Sequence, residues 1–349
     1  MRIRLLAASL LLALSCASGG STTAPASAPK LVSDGRLAMG TVLEITVVEE
    51  EGADAEAREI IDELFEKIAE IEGKISSWDP ESDVSRLNRE AHRAPQQVAE
   101  DVSAVLSQSL VYTTVTRGTF DVTIGPLVEL WIDAARTGVP PTPEELDRAR
   151  ELVGAGYVRV YGDGRVSFAR EGVAIDLGGV AKGYALDQLV PKLRKLGIRS
   201  GLLSFGQSST WALGAPPGAH GWRLLVRGPA SSAVGLVTLR DQALSVSGSL
   251  GEFAVIEGVE YGHILDPRTG MPLTRRRQAV VVARSASLAE ALSKALLIAG
   301  EEEGIAIVEA QPNCEGMLAD EDGTITTTSG WPAAVDFEPL EPESETQVR

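Results

Sequence analysis

The chain has 349 residues, 44% of them hydrophobic and only 5% aromatic, enough for one large domain or two modest ones with a core of Val, Leu, Ile and Ala. Its 49 acidic residues outnumber 32 basic ones, for a net charge of −17. That balance argues against a nucleic-acid partner, which needs a basic face, and means that an anionic ligand needs a local basic pocket set against the global field.

Arg2 and Arg4 precede an apolar run from Leu5 to Leu14 and then SCASGGSTTAPASAP. A basic start, a run too short to span a bilayer and a small-residue exit make residues 1–15 an export leader. ALSC resembles a lipobox, with Cys16 lipidated as the first residue after cleavage and residues 16–33 as a flexible tether. Ala13 is a weaker lipobox residue than Leu, so simple cleavage is the alternative. Only Cys314 then remains, and no internal disulfide is expected.

A single domain is expected over residues 34–335. RLAMGTVLEITVVEE alternates like a strand, and residues 53–75 set Ile61, Leu64, Phe65, Ile68, Ile71 and Ile75 on one helical stripe. SSWDPESDVSRLN reads as a loop into a short helix, residues 98–116 as a second helix, and PPTPEELDRARE as the start of another with Pro143 in its first turn. VRVYGDGRVSFA is a hairpin turned by Gly162, Asp163 and Gly164, followed by a strand start at GVAIDLGG. A helix begins at AKGYALDQ and should end or kink at Pro191. Strands are expected at 202–205, 222–227, 234–239 and 279–283, a helix over 287–299 and a late hairpin at ADEDGTITTT. Residues 336–349 read as a polar, acidic, disordered tail. Without regular βαβ alternation the class is α+β.

His92, His220, His263 and Cys314 have no metal-ligand spacing, and neither a phosphate loop, a dinucleotide fingerprint nor a G-x-S-x-G elbow occurs. What remains is six Gly-punctuated polar clusters beside apolar runs: AMGT (38–41), SSWDPESD (76–83), GTFDVTIGPLVELW (118–131), AIDLGGVAKGYALD (174–187), SVSGSLGEF (245–253) and HILDPRTGMP (263–272). Each alone has a structural account; DPRTG, for instance, reads as a type I turn capped by Asp266 and Thr269. Turns do not, however, need Trp78, Phe120, Lys182 and His263 beside them.

In order and spacing the six resemble the FAD:protein FMN transferase family, the ApbE proteins, from about Leu37 to about Gly330. The resemblance implies a T-fold-like α+β architecture, export, and transfer of FMN from FAD to a threonine of an exported or membrane flavoprotein, with AMP released. It implies FAD contacts at Met39, Gly40, Thr41, Trp78, Thr119, Phe120, Asp121 and Asp187. It places Lys182 on the pyrophosphate side and His263 at the chemistry, with Asp266 and Arg268 close by; Arg268 pairing with Asp266 structurally is the other reading. Arg275, Arg276 and Arg277 either draw in anionic FAD or form a solvated charge run.

The sequence also departs from the family pattern. GGN reads Gly206, Gln207 and Ser208, and TSG reads Val246, Ser247 and Gly248. The family's magnesium Asp and Thr read Glu290 and Lys294, with the accompanying carbonyl at Gly179, so the metal implied by the family is in doubt. In a helix Glu290 and Lys294 stand at i and i+4, and Ser287 with Glu290 fits a capping box. The alternatives to the transferase are an exported FAD-binding lipoprotein without turnover and an FAD pyrophosphatase. The expected location is the outer face of the bacterial inner membrane or the periplasm.

Overall fold

A computed structural model describes residues 30–49, 54–206, 208–229, 233–249 and 254–340. The leader, Cys16 and most of the expected tether lie outside the described residues.

The first strand expected from sequence is in fact a hairpin. β1 (Lys30–Ala38) pairs antiparallel with β2 (Thr41–Glu49), and Met39 and Gly40 turn between them at φ 48° and 75°. Positive φ at both central residues gives a turn whose twist matches that of the strands. In α1 (Asp54–Ile75) the whole apolar stripe from Ile61 to Ile75 is buried, as its spacing predicts. Ser82 caps α2 (Asp83–Glu90) by accepting from the Ser85 amide. The short β3 (Gln96–Gln97) precedes α3 (Glu100–Val115).

The next helix, α4 (Gly125–Thr137), was not recognised in the sequence. Its signals were Pro126 in the first turn and Gly138, left-handed at φ 74°, after the last. α5 (Pro143–Arg150) opens on a complete capping box between Thr142 and Glu145. β4 (Val158–Val160) and β5 (Arg165–Phe168) form the expected hairpin. Residues 173–177 do not form the expected strand; they make one parallel bridge, Ile124 to Ala174, and turn into α6 (Ala181–Lys195). α6 does not end at Pro191. Leu189, Val190 and Leu193 are buried around it, and that packing carries the helix past the missing N–H.

Then come β6 (Gly201–Phe205), β7 (Ser209–Leu213), β8 (Trp222–Arg227), β9 (Ala233–Leu239), β10 (Gln242–Gly248), β11 (Ala254–Ile256), β12 (Val259–Tyr261) and β13 (Arg277–Ala283). α7 (Ala286–Glu309) is two helices joined at Gly300, whose φ of 79° breaks the ladder. β14 (Glu315–Asp320), β15 (Ile325–Thr327), α8 (Trp331–Ala334) and β16 (Glu338–Pro339) complete the described fold. β16 pairs with β9, so ordered structure runs into the segment expected to be a disordered tail.

Eight strands form one antiparallel sheet in the order β1-β2-β6-β7-β10-β13-β14-β15. Both faces are covered, which β13 shows by its period of two. Ala279, Val281 and Ala283 pack with Leu292 and Leu296 of α7, while Val280 and Val282 pack with Trp222, Val237 and Leu239 of β8 and β9. The expected α+β class is therefore what the chain adopts. β10 follows the same alternation, so Ser245 and Ser247 share the helix-covered face with Ala243.

α6 and α7 meet at Gly183. A Cβ there would stand 2.5 Å from the backbone carbon and oxygen of Ala286, so the glycine is required by space. Gly183→Ala should lower stability by about 1–3 kcal/mol by forcing the two helices apart. A drop in the urea midpoint at unchanged m-value is the expected reading; an unchanged midpoint would contradict the close approach.

Candidate functional site

A cavity of about 980 Å³ opens where the β1–β2 turn, the loop after α1, α4, the start of α6, β10, the 263–267 turn and α7 converge. One wall is apolar, built from Ile124 at the N-cap of α4 and Val128 and Ile132 within it, with Leu265 and Ile298. Another is polar and contains Lys182, Lys294, His263, Glu290, Ser209, Ser245 and Ser247.

The charge on that wall opposes the charge of the chain. Lys30, Lys67, Lys74 and Lys192 each hold a carboxylate within ion-pair distance. Lys182 and Lys294 make no such pair among the described residues; the Lys294 ammonium donates to the Glu290 carbonyl oxygen at 3.2 Å. Burial pushes Lys294 down to about 8; Glu290 resists that fall and Lys182 adds to it. His263 is also held below its ordinary value, by loss of solvent and then by Lys294 and Lys182. Both effects favour the uncharged imidazole, the form that can accept a proton. No side chain caps the N-terminus of α6, so its positive dipole end adds to the Lys182 field. This is the local basic pocket that an anionic ligand of so acidic a protein requires.

The turn that carries His263 is held from outside the cavity. Amides of Thr269 and Gly270 donate to the Asp266 carbonyl, and the amide of Arg268 to the Asp266 carboxylate. Trp131 donates its indole N–H to the Gly270 carbonyl at 2.8 Å, and Arg150 donates to the Arg268 carbonyl. Arg268 points back on Asp266 and across to Glu303. Neither Asp266 nor Arg268 lines the cavity, although Pro267 between them does. The expectation that both act at the chemistry is thus corrected: they build the bend that presents His263. The three arginines after it are engaged as well, Arg275 and Arg277 with Asp320 and Arg276 with Glu260.

Met39, Gly40, Trp78, Thr119, Phe120, Asp121 and Lys182, all expected to contact FAD, line the cavity. Trp78 is 80% exposed at its rim, a large ring that makes no aromatic or cation–π pair among the described residues. Asp121 is buried and accepts from Thr123 and from the Ala155 amide, which fixes the loop ahead of α4. Two expected contacts fall elsewhere. Thr41 lies behind the β1–β2 turn, packed where a Cβ on Gly206 would stand. Asp187 accepts five hydrogen bonds, from Trp211, Ser285, the amides of Ala286 and Ser287, and the Ser287 hydroxyl. It closes the N-terminus of α7 and has no face left for a ligand in this arrangement. The sequence reading missed the α4 wall, Asp176 and the serines of β7 and β10; helical spacing through Ile124, Val128 and Ile132 was the available signal.

Glu290 does not cap its helix. The cap of α7 is Ser285, which accepts from the Leu288 amide. Glu290 is 1% exposed and turned into the cavity: Oε1 accepts from the Ser209 hydroxyl, and Oε2 is buried with no hydrogen-bond partner. A magnesium ion asks for near-octahedral oxygen ligands. Among the described residues no group of three or more His, Cys, Asp and Glu side chains could hold a metal. Lys294 lies against Gly179, its Cδ and Cε each 3.4 Å from where a Cβ on that residue would stand. The residues at the implied metal positions are thus one carboxylate, one carbonyl and an ammonium that repels a divalent ion. They do not fit magnesium.

A family model described as ApbE matches residues 39–318. The chain belongs to the ApbE family. A Vibrio cholerae protein named FAD:protein FMN transferase is 30% identical over 278 residues, 78% of this chain and 82% of its own length. A Klebsiella pneumoniae protein of the same name is 27% identical over 92% of both chains. The solved flavin transferase ApbE of Vibrio cholerae superposes with a TM-score of 0.78 at 27% identity, covering 87% of this chain and 99% of that one. The Thermotoga maritima ApbE protein gives the same score and identity over 88% and 99%. The Lys182, Lys294 and His263 wall therefore stands within an ApbE fold.

With only three histidines, His92, His220 and His263, ring titrations are separable by NMR. The His263 midpoint should lie below the ordinary 6.5, and Lys294→Met should raise it by removing a nearby positive charge. A midpoint at or above 6.5 in the unmodified protein would contradict the geometry.

Proposed function

We propose that the chain transfers FMN from FAD to a threonine of a partner protein, releasing AMP. One observation carries the reading: a cavity with an apolar wall for a flat ring system brings together the His263 imidazole and two ammonium groups that hold no carboxylate among the described residues, inside an ApbE fold. The relatives named FAD:protein FMN transferase support the same reaction.

In the proposed step the threonine hydroxyl oxygen attacks the FMN-side phosphorus of FAD. The new P–O bond forms as the bridging P–O bond to AMP breaks. His263 takes the hydroxyl proton, and AMP departs with the bridging oxygen. Lys182 and the uncapped α6 N-terminus face the negative charge of the pyrophosphate and of the leaving phosphate. Catalysis of this kind rests on placement and charge, and the chain supplies both without a covalent intermediate. The acceptor is taken to be an exported or membrane flavoprotein. Arg2, Arg4, the Leu5–Leu14 run and ALSC support export with a lipid on Cys16.

Purified protein should bind FAD more tightly than FMN, because the second phosphate adds a charge for the lysine wall. Incubation with FAD and a threonine-bearing acceptor should add the mass of an FMN phosphoester to that acceptor, with one AMP per event. His263→Ala should retain FAD binding and slow transfer by roughly 10²–10⁴. AMP without a mass gain would instead make the protein a pyrophosphatase, and FAD binding with neither product would leave a carrier.

Export is tested separately. A palmitate analogue should label the full-length protein in cells and not the Cys16→Ser variant. Equal labelling of both would exclude a lipid at that cysteine.

A further inference from the structure

Resting on the transferase reading, we infer that Lys294 is a built-in counter-ion for the pyrophosphate of FAD, so that flavin binding needs no divalent metal. Three observations place it there.

First, the Lys294 stem is laid across the turn ahead of α6. The positions of its Cδ and Cε, 3.4 Å from the Cβ point of Gly179, put the side chain beside the uncapped start of α6. Close contact of α6 and α7 at Gly183 and Ala286 fixes the two lysines relative to each other.

Second, the ammonium is free to serve a ligand. Its one hydrogen bond goes to the Glu290 carbonyl, and an ammonium has three protons to donate. The Glu290 carboxylate, on the same helix, makes no ion pair with it and accepts from Ser209 through Oε1. Two lysines without ion pairs on one cavity wall repel each other, and a dianionic pyrophosphate between them removes that repulsion.

Third, the surroundings hold this arrangement and offer little to a metal. Ser245 and Ser247 both contact the Ser293 hydroxyl, at 3.0 and 2.8 Å, and Ser293 donates to the Glu290 carbonyl. That chain of hydroxyls ties β10 to the turn of α7 bearing Lys294. The single unpartnered Glu290 oxygen is one ligand, beside a positive charge.

The test compares riboflavin, FMN and FAD binding by calorimetry, after EDTA treatment and with millimolar magnesium, in the unmodified protein, Lys294→Met and the Glu290→Asp, Lys294→Thr double variant. Riboflavin carries no phosphate and reports the intact flavin pocket. The unmodified protein should bind FAD equally with and without magnesium. Lys294→Met should weaken FAD by about tenfold or more, the value of a charge-assisted hydrogen bond, and leave riboflavin unchanged. The double variant should regain FAD affinity only with magnesium. The inference is overturned if magnesium tightens FAD binding to the unmodified protein by a comparable factor, or if Lys294→Met binds FAD normally. Equal loss of riboflavin and FAD in Lys294→Met also overturns it, by making Lys294 a packing residue. A protein that binds riboflavin and FAD with equal weakness throughout defeats the transferase reading itself, a result distinct from normal FAD binding by Lys294→Met.

Discussion

The site depends on how α6 and α7 are pinned together. Gly183 lets the two backbones approach, and Asp187, one turn further along α6, takes the free amides at the start of α7. A helix start leaves amide groups without internal partners, and a carboxylate from a neighbouring helix satisfies them while matching the dipole. The relative height of the two helices is thereby set by hydrogen bonds of fixed length. Lys182, just before Gly183, and Lys294, two turns into α7, inherit that height. Their proximity is a property of the helix pair more than of either side chain.

Electrostatics then gives the cavity its character. An acidic chain repels anions at long range, yet binding is decided at short range by groups partly removed from water. Salt bridges elsewhere occupy most of the basic side chains, including the Arg275 to Arg277 run. Among the described residues Lys182 and Lys294 hold no carboxylate, and they face one cavity together with the α6 N-terminus. Burial, and after it the same two lysines, hold His263 below its ordinary value, so one arrangement serves both anion recognition and proton acceptance.

Much of this was legible in the sequence because motif, period and turn chemistry agreed. The α1 stripe and the GDG hairpin form as their patterns predict, and Met39, Gly40, Thr119, Phe120, Asp121 and Lys182 of the MGT, TFD and AKG clusters line one cavity. The failures share a cause: a short sequence window cannot say which way a polar side chain faces. Asp187 and Asp266 stand in the densest motifs, and both turn away from the cavity to hold backbone amides. Glu290 and Ser287 imitate a capping box because Ser285, two residues earlier, meets the amides first. Pro191 was overruled by the apolar residues around it, and α4 was masked by its role in a glycine-rich cluster.

The hairpin at the sheet edge has a consequence for access. Nine residues of extended chain separate Lys30, where the described fold begins, from the Met39 turn at the cavity, a span of roughly 30 Å. Anything that holds the protein upstream of Lys30 holds it by the far end of that strand. The cavity rim at Met39 and Gly40 is therefore set apart from the point where the chain enters the fold by the length of one paired strand.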